Sequence, residues 1–248
     1  MASSMGSEFV FDKFDLHSKI NLEFYVDIGA NDGITESTTH WIHNRNVKGI
    51  AIEYSDRFFN QLCSHQPNSI NIQSKVTPDN VKSILDEHGC PKDFGFLSLD
   101  IDSYDYFVLD SLLQEYSPSI ICCEINEKIP TPIRYTVNYL SPDQIWEGNH
   151  MYGASIKMFE DFEKYGYKMF YVDYNNVYLS NIKDLPYEKS DILFYNGYIN
   201  TDRESRYPWN NNVADWLTMP TVDAYNSIVS YFQKYVDSGL LHVSIGDK

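Results

Sequence analysis

Short apolar runs alternate with helix-forming stretches through most of this chain, and that alternation is its strongest constraint. Residues 22–28 (LEFYVDI) form one run, ending at Gly29, and a helix is expected over residues 37–44. A second strand is expected over residues 47–53 and a helix over 56–65, with Phe58, Phe59 and Leu62 facing inward. A third strand follows at 69–73, and Pro78 is expected in the first turn of a helix reaching about His88. Residues 94–100 (FGFLSLD) predict a fourth strand and 104–116 a helix. The fifth strand, 119–125 (SIICCEI), is nearly all apolar, as expected for a sheet centre covered on both faces. A helix over 155–165 and strands over 168–174 and 177–179 complete the pattern, with 191–195 expected at the sheet edge. Such alternation predicts an α/β fold with a doubly wound, mostly parallel sheet, in which ligands bind outside the carboxyl ends of the strands.

The 248 residues suit one α/β domain with an appendage. Lys plus Arg number 19 against 35 Asp plus Glu, a net charge of -16. So acidic a surface repels phosphate backbones and anionic lipid, so neither nucleic acid nor membrane is an expected partner. Cys63, Cys90, Cys122 and Cys123 have no zinc-ligand spacing and predict reduced thiols in a cytoplasmic protein. No signal peptide is expected at the start. Gly6-Ser7-Glu8-Phe9 is what two adjacent restriction sites encode, so residues 1–9 are expected to be a cloning remnant. The main domain is then expected over 10–199. A C-terminal extension over 200–248 is rich in Asn, Tyr and Trp between Arg203 and Trp216, with helical spacing over 222–237. It is expected to be a helix packed on the domain, or a lid or dimer arm that would make the protein a homodimer.

Chemistry-bearing residues gather at the expected strand ends. Gly29 and Gly33 in DIGANDG allow backbone to approach a ligand closely, but Asn31 stands where a dinucleotide loop needs Gly. Two acids, Asp27 and Asp32, suit a ligand carrying an ammonium group and hydroxyls. About 20 residues beyond the loop, Glu53 ends the second strand, where an acid accepts hydrogen bonds from both ribose hydroxyls.

The loop DIGANDG followed by GIAIEYS resembles the first two motifs of class I S-adenosylmethionine-dependent methyltransferases, particularly the FkbM-like group. FLSLDIDSYDYFVLD, ICCEINEKIPTPIRYTV and HMYGASI extend the resemblance over about residues 23–179. It implies a Rossmann-like methyltransferase sheet of about seven strands, with helices on both faces. It also implies S-adenosylmethionine as cofactor. Asp27 and Gly29 would line its methionine part, Glu53 would hold the ribose, and Asn31, Asp32 and Asp100 would be further cofactor contacts. Tyr54, Lys75 and Val76 would border the adenine. The resemblance supplies no methyl acceptor.

Asp100, Asp102 and Asp105 lie in DIDSYD, and Glu124 and Asn126 end the fifth strand. Carboxylates packed together raise one another's pKa unless a cation or donor sits among them. Three answers are open. A divalent cation such as Mg²⁺ could be held by Asp100, Asp102, Glu124 and Asn126. The cofactor ammonium with Lys128 or Arg134 could offset the charge, or Asp105 could simply cap the next helix. The stretch 126–152 forms no clear element, and long irregular loops are often functional. Its His150 is the candidate general base, with Asp102 and Lys128 as further catalytic candidates. Glu127, Arg134 and Tyr152 are candidate acceptor contacts, Arg134 being suited to an anionic group. The expected function is methyl transfer to oxygen of a small-molecule or glycan-type acceptor. The rivals are a nucleoside-binding or interaction module without catalysis, and a metal-dependent hydrolase or lyase using the acidic cluster.

Overall fold

A computed structural model of the chain describes residues 6–144 and 150–246. Strands β1 (Phe24–Ile28), β2 (Lys48–Glu53), β3 (Ile70–Gln73), β4 (Phe96–Leu99) and β5 (Ile120–Glu124) pair in parallel. After β6 (Ile133–Val137), strands β7 (Lys168–Asp173) and β8 (Asn176–Ser180) return to the same sheet, β8 antiparallel to β5 and β7 antiparallel to β8. The order β3-β2-β1-β4-β5-β8-β7 is the seven-stranded, mostly parallel α/β sheet that the alternation predicts. Strand order reverses between β1 and β4, so the ligand crevice of such a sheet opens outside Ile28 and Leu99.

Side chains alternate across each strand and build two cores. Val26, Ile28, Leu97, Leu99, Ile121 and Cys123 are buried on one face. They join residues of α5 (Val81–Glu87), α6 (Asp105–Leu112) and a 3₁₀ helix (Ile156–Tyr165). Tyr25, Phe96, Ile120 and Cys122 are buried on the other, with Val10 and Phe11 of α1 (Gly6–Lys13), Leu16 of α2 (Leu16–Lys19) and Ile42 of α3 (His40–Asn44). Tyr25 lies over Gly49, its register partner on β2, where a Cβ would come within 2.3 Å of the ring. Helix α4 (Asp56–His65) has the predicted bounds and buries Leu62.

Several elements differ from expectation. Residues 191–195 are not an edge strand: Ser190–Phe194 is a helix, α7, burying Leu193 and Phe194, and Glu160 accepts bonds from the Ser190 amide and hydroxyl. A run of three apolar residues cannot by itself distinguish the two periods. Pro78 precedes α5 rather than opening it. The Asn80 side chain accepts from Thr77 N at 2.7 Å and closes a turn first, so the helix starts at Val81. Residues 6–9 are not detached from the fold. Ser7 is buried, accepts from Trp41 Nε1 at 2.6 Å and donates to the Thr38 carbonyl. Residues 1–5 of the expected remnant lie outside the described residues.

The stretch after β5 is not without an element either. It contains β6, which pairs antiparallel with β9 (Leu241–Ile245) more than 100 residues later. After α8 (Arg203–Arg206), α9 (Thr221–Tyr231) and α10 (Gln233–Asp237) divide the expected C-terminal helix at Phe232. Trp216, Ile228 and Phe232 form a third core with Ile133, Tyr135 and Leu241.

Candidate functional site

The carboxyl ends of β1, β2, β4 and β5 bring most of the expected residues to one edge. At the end of β1, Gly29 N and Ala30 N both donate to Ile52 O, at 2.9 and 3.0 Å. Gly29 has φ +85°, and a Cβ there would lie 1.6 Å from the Asp100 carbonyl oxygen. Only glycine permits both that conformation and that approach. Asp27 is buried beneath the loop and accepts from Thr39 Oγ1 at 2.5 Å. Burial pushes its carboxyl up to about 6, against hydrogen bonds from Thr39 and Ser98, and Glu53 adds repulsion. Asp32 serves the loop itself, accepting from Ile34 N, Thr35 N and Thr35 Oγ1. Burial works against its charge, but those bonds prevail and hold it below the usual carboxylate range.

Glu53 is 7% exposed, and both its oxygens are oriented by backbone. Oε2 accepts from Asn31 N at 3.0 Å and Oε1 from Ser55 N at 2.7 Å. Each oxygen retains a lone pair for a further donor. Asn31 is held at φ 50°, and its Oδ1 is buried with no hydrogen-bond partner. Tyr54, next to Glu53, is 61% exposed, and Val76 is buried after β3 with its carbonyl accepting from Tyr104 OH at 3.3 Å. Burial pulls the Lys75 ammonium down, partly offset by Asp143.

The structure brings Asp100, Asp102 and Glu124 together: one carboxylate oxygen from each lies within 4.8 Å of the others. Asp105 is different. Its Oδ1 accepts from Ile101 N at 2.8 Å and its Oδ2 from Ser103 N at 3.0 Å, so it caps the turn before α6. Burial pushes it up to about 6, against those bonds. Asp100 lies deep among protein atoms but is open to the cleft, and burial followed by repulsion from Asp102 and Asp105 raises its carboxyl well above normal. Burial and Asp100 do the same to Glu124. Burial raises Asp102 too, with Lys128 opposing.

Asn126 is turned elsewhere. Its Nδ2 donates to the carbonyls of His150 and Tyr152 at 2.8 and 3.0 Å, which pins that segment against β5. Glu127, Lys128 and Tyr152 form a closed, buried network rather than an open acceptor surface. Lys128 Nζ donates to Glu127 Oε1 at 2.9 Å and to Tyr152 OH, which donates to Glu127 Oε2 at 2.5 Å. Arg134 lies on β6 and is paired with Asp161 of the 3₁₀ helix, so it is not free for an anionic acceptor. His150 is half-buried, with Nε2 3.1 Å from Asn212 Oδ1 and its ring 6.0 Å from that of Tyr231. Burial and then Lys128 hold its imidazole below the ordinary value.

Sequence reasoning missed the residues that tie the C-terminal segment to this edge. Asn210 Nδ2 donates to Glu127 Oε1 at 2.7 Å. Tyr207 OH donates to Asn175 Oδ1 at 3.0 Å, and Asn175 Nδ2 donates to Glu124 Oε1 at 3.1 Å. The Asn- and Tyr-rich composition after Arg203 was the only signal, and it names no partner.

No protein-family model and no curated protein sequence matches this chain. Solved structures align with it remotely. CalS10, an amino pentose methyltransferase from Micromonospora echinaspora, is 8% identical, with 74% of this chain and 92% of that chain covered and a TM-score of 0.45. The plantazolicin methyltransferase BamL is 12% identical, with 86% and 76% covered and a TM-score of 0.45. A TehB-like SAM-dependent methyltransferase from Corynebacterium glutamicum is 8% identical, with 72% and 89% covered and a TM-score of 0.42. At these values the likeness is too remote to carry a function across.

Proposed function

We propose that this chain is an S-adenosylmethionine-dependent methyltransferase acting on oxygen of a neutral small-molecule or glycan-type acceptor. The observation that carries the reading is Glu53. Its carboxylate ends β2 beside the strand-order reversal, is oriented by two backbone amides, and keeps a lone pair on each oxygen for a vicinal diol. The neighbouring residues fit the same ligand. Gly29 lets the loop approach closely, Asn31 Oδ1 is buried without a donor, and Tyr54 offers an exposed ring. In this reading Asp27, Gly29, Asn31 and Asp100 border the methionine part, with Asp32 holding the loop. Tyr54, Lys75 and Val76 border the adenine. When bound, the cofactor supplies an electrophilic methyl group on a sulfonium.

The residues of this chain then align the acceptor and take up its proton. His150 is the base in this reading. With Nε2 donating to Asn212 Oδ1, its basic nitrogen is Nδ1, and its lowered pKa keeps the ring neutral near pH 7. Lys128 and Arg134 are both committed to ion pairs, while Asp100 and Asp102 are open. That charge pattern favours a neutral hydroxylated acceptor over an anionic one. Calorimetry with S-adenosylhomocysteine, followed by radiolabelled methyl transfer to a panel of glycosides and small alcohols, tests the reading. Binding without transfer to any acceptor would favour a nucleoside-binding module, and no binding would remove the cofactor.

A further inference from the structure

We infer that Asn210 and Tyr198 bind one hydroxyl of a sugar or other polyol at a small cavity beside the carboxyl end of β5; that this polyol is the methyl acceptor rests on the methyl-transfer reading. Asn210 ends a 3₁₀ turn (Pro208–Asn210) of the C-terminal segment and is 6% exposed. Its Nδ2 donates to Glu127 Oε1 at 2.7 Å. Glu127 also accepts from the Lys128 ammonium and the Tyr152 hydroxyl, so it can only accept from Asn210 and fixes the amide with its nitrogen inward. The Asn210 Oδ1 is thereby turned away from Glu127, and it is buried with no hydrogen-bond partner. A buried acceptor without a donor costs free energy until a ligand or water supplies one.

Asn210 lines a cavity with Lys128, Tyr198, Arg203, Glu204 and Tyr207. Its volume is about 10 Å³, room for a water or one ligand hydroxyl. Glu204 is exposed, so the lining reaches the surface. Tyr198 is 1% exposed, and its hydroxyl accepts from Asn210 Nδ2 at 3.4 Å. Among the described residues nothing accepts the Tyr198 proton, and burial, with the Glu127 charge adding to it, raises the phenol's pKa and keeps that proton in place. Arg203 donates Nη1 to the Ile199 carbonyl and has further N–H groups.

A group that fits here donates to Asn210 Oδ1 and accepts from Tyr198 at once. A hydroxyl does both. A carboxylate has no proton for Oδ1, and an ammonium has no lone pair for Tyr198. Arg203 and Glu204 bring opposite charges to the lining, so it does not select an anion. The cavity adjoins the candidate site, because Glu127 and Lys128 follow β5 and Tyr207 OH reaches Glu124 through Asn175. His150 lies outside the lining, against Asn212 and Tyr231. The hydroxyl held by Asn210 is therefore not the one that gives its proton to His150. The acceptor then carries at least two hydroxyls, which makes it a polyol rather than a simple alcohol.

Saturation-transfer NMR titration of the full chain, with S-adenosylhomocysteine present, tests this. The probes are the methyl glycosides of glucose, galactose and ribose, with cyclohexanecarboxylate and cyclohexylammonium as charged controls. At least one glycoside should bind, and neither control should. Tyr198→Phe leaves the Asn210–Glu127 bond intact and should weaken glycoside binding at least tenfold. Asn210→Ala should do the same. Trp209→Phe alters a neighbour in the same turn that is 63% exposed and outside the lining, and it should leave affinity unchanged. Absence of binding by all three glycosides overturns the assignment, as does binding that survives both Tyr198→Phe and Asn210→Ala. Variants that lose thermal stability but keep native glycoside affinity would show an ordered water only, which also overturns it. S-adenosylhomocysteine calorimetry on the same samples separates the two ideas. Nucleoside binding without glycoside binding removes only the hydroxyl site, and glycoside binding without nucleoside binding removes only the cofactor.

Discussion

Gly29 and Asp100 meet where the strand order reverses, with Asp100 N donating to Ile28 O at 2.9 Å and no room for a Cβ on Gly29 beneath the Asp100 carbonyl. One contact thus joins the loop after β1 to the acidic cluster. Gly29→Ala should cost about 4 kcal/mol or more, because the obstacle is backbone and the conformation is left-handed. Gly89→Ala separates the two causes: Gly89 has φ +70° with nothing near its Cβ position, so only roughly 1–2 kcal/mol of backbone strain is expected. Urea denaturation of both variants would show the difference, and equal losses would contradict the close contact.

Glu53→Ala should weaken S-adenosylhomocysteine binding by on the order of 100-fold, since hydrogen bonds to a charged group contribute roughly 1.5–3 kcal/mol. It also strips acceptors from Asn31 N and Ser55 N, so part of the loss comes through the loop. Glu53→Gln, which keeps one oxygen, should lose less. Calorimetry measures both, with circular dichroism as the check on folding; unchanged affinity in both variants removes the ribose assignment.

Asp27 makes a prediction about pH. Its folded-state pKa is raised from 3.8 to about 6 by burial, so between those values the folded chain holds a proton that the unfolded chain has released. Its contribution to stability therefore falls as pH rises from about 4 to about 6 and stays lost above. At about 1.4 kcal/mol per pKa unit, the loss is roughly 3 kcal/mol. Asp27→Asn retains an acceptor for Thr39 and should be more stable than the native protein at pH 7.5, with the advantage vanishing near pH 4. Thermal unfolding across that range checks the sign.

His150→Gln should lower turnover by on the order of 100-fold, the range for removing a general base. Its affinity for S-adenosylhomocysteine should change little, because the ring contacts Asn212 and Tyr231 rather than the Glu53 loop. In the native enzyme, activity should rise with pH through a limb below 6.5 and then level off, since the imidazole must be neutral to accept a proton. Full activity in the variant, or a limb that the variant retains, would assign the proton to another group.

The parts of this protein legible in the sequence are those whose causes are local. Five parallel strands and the helix Asp56–His65 follow from short-range periodicity. The turn at Gly29 and the acid ending β2 follow from residue type and spacing. What the tertiary structure alone decided is which distant groups meet. Ile133–Val137 becomes a strand because Leu241–Ile245 arrives beside it, and no local pattern near Ile133 announces a partner so far along the chain. The charged loop residues were misjudged for the same reason. Lys128 and Arg134 read as free cations until Glu127, Tyr152 and Asp161 are seen to hold them. Asn126 reads as a ligand until the His150 and Tyr152 carbonyls are seen to hold its amide, whereas Asp105 takes the capping role that was one of its open readings. Periodicity and turn chemistry are written within a few residues, whereas a side chain's availability depends on every group that packing brings within hydrogen-bond reach.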